Sequence, residues 1–297
     1  MNSLFDSENA FEKAVSPAKE MAAYEALWSK DGASFKKIAD KFKGSPGVLP
    51  SDLVTVSEIK DTFEKLKEEL NRGGALGEIG VRVNGTFEYP ESLRDAKNPI
   101  EVFYYRGIWD LIFSPTVAVV GARKVTEEGA RRTRKLVKSL VKDGFTIASG
   151  LAEGVDTIAH QTAIECGGRT IAVIGTPLNK VYPKKNAELQ KKISEEHLII
   201  SQVPFLKYSN QDYRINRSFF PERNITMSAI SMATVIIEAS DTSGTLYQAR
   251  AAIAQNRKLF ILDSCFHNNS ITWPERFNKK GAIRVKSYDD IRNSLIK

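Results

Sequence analysis

Cysteine is nearly missing from this chain. Cys166 and Cys265 stand far apart and no C-x-x-C occurs, which excludes a disulfide framework and leaves a thiolate zinc site without ligands. The three histidines, His160, His197 and His267, are too scattered for a metal cluster. No apolar run approaches the roughly 18 residues of a membrane span, and the first residues show no secretory pattern, so a soluble cytoplasmic protein is expected. G-x-G-x-x-G and G-x-x-x-x-G-K-[ST] are both absent, so a dinucleotide enzyme and a P-loop NTPase lack their phosphate turns. Nor does a catalytic set assemble. Asp156 and His160, four apart at an expected helix start, read as a capping carboxylate with a neighbouring ring, and Glu238, at an expected strand end, could line a cleft but has no second acid or nucleophile beside it. No catalytic residue, metal or cofactor is expected.

What the chain does have is apolar content and unevenly placed charge. Its 297 residues are 42% hydrophobic, which suits two domains or one large domain with an appendage. The net charge of +7 is split: residues 1–97 carry 14 Lys and Arg against 17 Asp and Glu, and the remainder carries +10. Such asymmetry is the footprint expected of a phosphate-rich partner.

Residues 1–75 read as a small helical domain, with amphipathic stretches at Phe11–Trp28, Phe35–Phe42 and Val56–Leu70, a loop at Gly44-Ser45-Pro46-Gly47 and a boundary at Arg72-Gly73-Gly74. Phe35–Phe42 reads as a packing helix with a solvated lysine face, or as part of a recognition module. Residues 76–297 form the second unit. It opens with a lead-in segment bearing one strand at about 101–105, and from Thr116 short apolar strands alternate with amphipathic helices. Six strands are visible, at Val117–Val120, Thr146–Ala148, Thr170–Ile174, Leu198–Ser201, Val235–Glu238 and Lys258–Leu262, with a tail helix around Tyr288–Ile296. The expected fold class is α/β, a Rossmann-like doubly wound and mostly parallel sheet with a small N-terminal helical domain.

In an open parallel sheet, ligands bind outside the carboxyl ends of the strands. The turns there carry Gly121 and Arg123 after the first strand, Ser149 and Gly150 after the second, and Ser243-Gly244-Thr245 after the fifth. Glycine and hydroxyl residues opening a helix present free N–H groups and the positive dipole end, an anion site in waiting. Lys184, after Tyr182-Pro183, adds charge on the same edge, followed by Asn186 as an expected N-cap. The stretch Tyr213–Asn224 mixes Arg214, Arg217 and Arg223 with Phe219 and Phe220, cations for a backbone and aromatic faces for bases. One of the two phenylalanines is expected in the core. The basic first helix, Arg131 to Lys142, reads as a solvated face.

Several of these segments occur together in one order: VAVVGAR, SGLAEGVDTIAH, GGRTIAVIGTPLNKVYPKKN, FFPERN and SGTLYQARAAI, preceded by YPESL and YYRG. The ordered set, from about Tyr89 to Leu262, resembles the DNA processing protein A (DprA/Smf) family. That resemblance implies a non-catalytic Rossmann-like protein that binds and protects single-stranded DNA in a basic pocket, forms homodimers and helps load a RecA-type recombinase in natural transformation and recombination. It places Arg123, Lys184, Arg223 and Asn224 in the pocket. Some features differ: Ile225-Thr226 stands where members tend to carry a further arginine, Asp263-Ser264 replaces a Pro-Gly after Leu262, and no winged-helix pattern follows the tail helix. The same fold also resembles the nucleoside monophosphate phosphoribohydrolases, whose Gly-rich turn carries a catalytic glutamate. Gln248 stands at that place, and a neutral amide cannot supply the charge stabilisation an oxocarbenium-like centre needs. A nucleotide sensor using the same turns without catalysis is the other alternative.

Overall fold

The computed structural model describes residues 15–45, 47–72, 79–86 and 88–296. The first helix, α1 (Pro17–Ser29), starts later than its apolar pattern suggested. Ser16 is extended, and Pro17 brings the fixed φ and missing N–H that suit a first helical turn. Residues 11–14 of the expected helix lie outside the described residues, as do Pro46 of the expected loop and the boundary expected at Gly73-Gly74. α2 (Phe35–Phe42) buries Ile38 and Phe42 and exposes Lys36, Lys37 and Lys41, the pattern of a packing helix. α3 (Val56–Arg72) completes the N-terminal layer.

Two strands follow where the pattern suggested one. β1 (Gly80–Val83) and β2 (Val102–Gly107) pair antiparallel, and β1, an edge strand only partly buried, makes no unbroken apolar run. The regular alternation then sets in with β3 (Thr116–Val120), α4 (Glu127–Lys142), β4 (Thr146–Ser149), α5 (Val155–Glu165), β5 (Thr170–Ile174), α6 (Ala187–Glu196) and β6 (Leu198–Ser201). Three short helices, α7 (Phe205–Asn210), α8 (Tyr213–Asn216) and α9 (Phe219–Ala229), carry the chain back to β7 (Ala233–Ile236). After it come α10 (Thr245–Ala254), β8 (Lys258–Leu262), α11 (Asp263–Phe266), α12 (Trp273–Asn278), β9 (Ile283–Val285) and α13 (Tyr288–Leu295). β9, three residues long, gave no legible strand signal.

The sheet order is β1-β2-β6-β5-β4-β3-β7-β8-β9, parallel from β6 to β9 and antiparallel at β1 and β2. The chain winds outward from β3 to β6, then returns to lay β7 against the other side of β3. That reversal splays the turns after β3 and β7 apart and opens a crevice between them. Alternate residues of β3 serve opposite faces: Val117 and Val119 pack with Leu136, Leu140 and Phe260, while Ala118 and Val120 pack with Met227, Leu246 and Trp273. Both faces are therefore buried, which is why these strands read as continuous apolar runs.

The N-terminal helices share an apolar cluster with Tyr104, Ile174 and Phe205 of the sheet unit. Buried Glu25 of α1 accepts the N–H groups of Phe205 and Leu206 and the Tyr104 hydroxyl. Glu69 of α3 accepts from Asn179, Lys180 and Ser209, which flank the strand-end face. Among the described residues no helix is long and apolar enough to cross a membrane.

Candidate nucleic-acid interface

A cleft of about 530 Å³ occupies the crevice between the β3 and β7 turns. Its walls are Gly121 to Lys124, then Phe220, Pro221, Arg223 and Asn224 at the start of α9, and Ser243, Gly244, Thr245, Tyr247 and Gln248 at the start of α10. The β3 turn is forced tight. A Cβ on Gly121 would lie 2.6 Å from Cγ2 of Val155, and one on Gly154, whose φ is +81°, would lie 2.3 and 2.4 Å from the carbonyl oxygens of Ala122 and Arg123. Only glycine at both positions lets the turns after β3 and β4 touch. Thr126 then starts α4, its hydroxyl accepting from Gly129 N.

Arg123 and Lys124 are exposed on this turn, and neither side chain has a hydrogen bond or ion pair among the described residues. Arg223 is the opposite case. Only 6% exposed, it donates through Nη1 to the carbonyls of Gly150 (2.5 Å) and Val173 (2.6 Å) and through Nε to Oδ1 of Asn224 (2.9 Å). The fit is close enough that a Cβ on Gly150 would lie 2.2 Å from Nη1. Burial pushes Arg223 down to about 10, opposed by the charge of Asp156, so the guanidinium stays charged at neutral pH. Asp156 is the one carboxylate in the lining. Burial raises it while Arg223 draws it back, and its Oδ2 accepts from Gly150 N and Ala152 N. Asp156, expected as a capping carboxylate, thus accepts from the turn before α5, and His160 is buried against Thr170 Oγ1. Since Thr170 donates its single hydrogen to Ile147 O, Nδ1 of His160 must donate to Thr170.

The remaining candidates divide. Asn224 sits in the wall and donates to Gly244 O. Ser243, Gly244 and Thr245 are in the lining, but much of their capacity is spent locally: Ser243 Oγ accepts from Thr245 N, and Thr245 Oγ1 donates to Gly121 O. The N–H of Gly244 takes no acceptor among the described residues, leaving a narrower anion site than the sequence suggested. Ser149 and Gly150 are buried behind the cleft, not on it. Ser149 Oγ donates to Val119 O, and Gly150 serves Arg223 and Asp156. Lys184 and Arg217 are exposed and lie outside the lining. Asn186 does not cap α6; its amide donates to Leu151 O and Thr157 Oγ1. Glu238 lies beyond the end of β7 and does not line the cleft, because its carboxylate accepts from the amide and hydroxyl of Thr126 at the head of α4.

The aromatic pair resolves against the expectation for Phe219. That ring is 3% exposed among Trp28, Phe35 and Tyr208, with centroids 5.8 to 6.4 Å away. Phe220 fronts the cleft, its ring against bare Gly175 and 5.6 Å from that of Tyr182. Which member of a Phe-Phe pair turns inward depends on helix phase, and four residues of flanking sequence do not fix it. Tyr247 was missed: it lines the far wall, 48% exposed, with the Arg250 guanidinium 5.1 Å over its ring. Its one signal was an aromatic two residues after the Ser-Gly-Thr turn. Gln248 lines the cleft with its amide bonded to Thr234. Among the described residues no group of three or more His, Cys, Asp or Glu is placed to hold a metal.

Comparison with known proteins identifies a family and a fold. Residues 81–296 match the family model described as DNA recombination-mediator protein A. Protein Smf of Synechocystis sp. is 41% identical over 179 residues, 59% of this chain but 44% of that protein, so less than half its length is spanned. DNA processing protein DprA of Streptococcus pneumoniae is 33% identical over 203 residues, 68% of this chain and 70% of the relative. The X-ray structure of DprA from Streptococcus pneumoniae superposes with a TM-score of 0.74 over 95% of this chain and 98% of that one, at 24% identity, a likeness of fold. DNA processing protein A from Helicobacter pylori, whose structure is described for its single-stranded DNA binding mode, aligns with a TM-score of 0.63 at 28% identity, over 74% of this chain and 96% of that one.

Proposed function

The chain belongs to the DNA recombination-mediator protein A family, and on that premise we propose that its part in DNA processing is to bind single-stranded DNA in the strand-end cleft without catalysing a reaction. The observation that carries this reading is the pair of exposed cations, Arg123 and Lys124, without a partner among the described residues, at the mouth of a cleft whose lining holds the buried Arg223 guanidinium. Phosphates would meet Arg123 and Lys124, and bases would meet the faces of Phe220, Tyr182 and Tyr247, the combination of charge and stacking that sequence-tolerant single-strand binding requires. Arg223 and Asn224 act from behind, holding the wall in place. The Helicobacter pylori relative supports the choice of single strands. A homodimer and the handing of the strand to a RecA-type recombinase complete the proposal on family grounds, with Lys184 and Arg217 as outer contacts.

Among the described residues of the cleft, none carries the phosphoribohydrolase reading. Gln248 is neutral, Glu238 is tied to α4, and Asp156 is engaged by backbone N–H groups beside Arg223. A nucleotide sensor keeps one supporting observation, a cleft volume within the range of small-molecule sites.

Fluorescence anisotropy with a labelled oligo-dT strand across a salt series tests the proposal. Binding should weaken log-linearly with salt, and Arg123→Ala should weaken it about tenfold at low salt and lower the slope by about 1 without moving the Tm. Wild-type affinity in folded Arg123→Ala would overturn the assignment. Tight mononucleotide binding with none for oligo-dT would favour the sensor.

A further inference from the structure

The carboxyl edge of the sheet does not end at the cleft. Passing from β7 to β8, a small cavity of 160 Å³ lies among Arg132, Glu238 and Ser264. Past β8, between α4, β9 and α13, a larger one of 390 Å³ shares Arg132 and Ser264 with it. Three pockets therefore follow one another along the strand ends in the order β3, β7, β8, β9.

Charge at the outer pocket is also unbalanced in a particular way. Its acids are already engaged: Glu128 is shared by Arg131 (2.6 Å) and Arg132 (2.9 Å), and Asp263 is held by Arg284 (2.6 Å) and His267 (2.9 Å). Lys135 and Lys286, both in the pocket lining, are exposed and their side chains make no hydrogen bond or ion pair among the described residues. The floor between them is apolar, built from Leu136, Leu262, Val285 and the ring of Tyr288. Exposed cations on a rim above an apolar, aromatic floor suit a polyanion with flat apolar faces, which is what successive nucleotides present.

Resting on the single-strand reading of the cleft, we infer that the pocket between α4 and α13 is a second subsite for the same DNA strand, entered after the strand leaves Arg123 and Lys124. The spacing permits it. From β3 to β9 is three strand intervals, about 14 Å, and a fully stacked strand, advancing about 3.4 Å along its axis per nucleotide, covers that distance in roughly four nucleotides. The basic face of α4, which taken alone reads as solvated surface, then becomes the wall along which the strand runs.

The test compares dT strands of about 3 and about 15 nucleotides, the shorter unable to span the roughly four nucleotides between cleft and pocket. In Lys135→Ala/Lys286→Ala, affinity for the long strand should fall about tenfold and its salt slope should shrink by about 1 to 2. Short-strand affinity should stay at the wild-type value. Both lysines are exposed, so an unchanged Tm is expected to show that the variant is folded. Unchanged long-strand affinity, or equal losses for both strands, would overturn the second subsite while leaving the cleft intact, since Arg123→Ala would still weaken the short strand. A wild-type protein that binds neither strand would instead sink the cleft reading itself.

Discussion

Two adjacent phenylalanines do opposite work. Phe219 fills a cluster with Trp28, Phe35 and Tyr208, so Phe219→Ala opens a cavity and should cost about 3 to 5 kcal/mol of stability. Phe220 offers a half-exposed face to the cleft, and Phe220→Ala should lower single-strand affinity by about 1 to 3 kcal/mol with little change in Tm. Urea unfolding and anisotropy on the two variants separate the effects; a stable, weakly binding Phe219→Ala would reverse the assignment. Arg123 and Arg223 divide in the same way. Both were legible as cleft residues because an arginine directly after a strand, or beside a conspicuous aromatic pair, stands out in the sequence. That one is free and the other bonded to two carbonyls was not legible, because burial depends on Gly150 and Val173, far away in the chain.

At the scale of elements, strands β3 to β8 were visible because burial on both faces leaves an unbroken apolar run. β1 was not, because as an edge strand it is only partly buried and makes no unbroken apolar run, nor was β9, which has three residues; the end of β7 was misplaced because its register against β3 stops it at Ile236. The contacts of α1 were equally hidden. Glu25 sits in an apolar stretch of that helix, yet it caps the start of α7 from across the molecule. Burial raises Glu25 from the ordinary glutamate value near 4.5 to about 7. For an acid whose folded value is raised, the folded state holds the proton more tightly, so this contribution to stability is full below about pH 4.5, declines as pH rises to about 7 and is flat above. The Tm difference between wild type and Glu25→Gln should therefore move against the wild type across that window and level off beyond it. Parallel curves would show that Glu25 is not the group titrating.

For the molecule as a whole, the N-terminal helices close a cluster that includes Tyr104, Ile174, Phe205 and Leu206. Uncovering several such side chains forfeits about 1.5 to 3 kcal/mol each, which approaches the entire stability of a typical domain. A chain beginning at Ile79 should accordingly bind a hydrophobic dye and lose its cooperative unfolding transition. A truncated protein that melts cooperatively at the wild-type Tm would instead establish residues 1–72 as an independent appendage. The doubly wound order itself was readable from the alternation of strands and helices. Where the helical layer rests was not, because its ties through Glu25 and Glu69 reach more than a hundred residues along the chain.

The two carbonyls that hold Arg223 belong to different places, one in β5 and one just beyond β4, while the residue itself rides on α9. A guanidinium fixed in this manner is a cross-brace. If a strand binds in the cleft as proposed and is pulled along its length, the load on α9 would pass through that brace into two central strands and be spread over the ladder as shear, instead of peeling back a surface loop. The grip can then be firm under tension while each contact with the strand stays individually weak enough to let go.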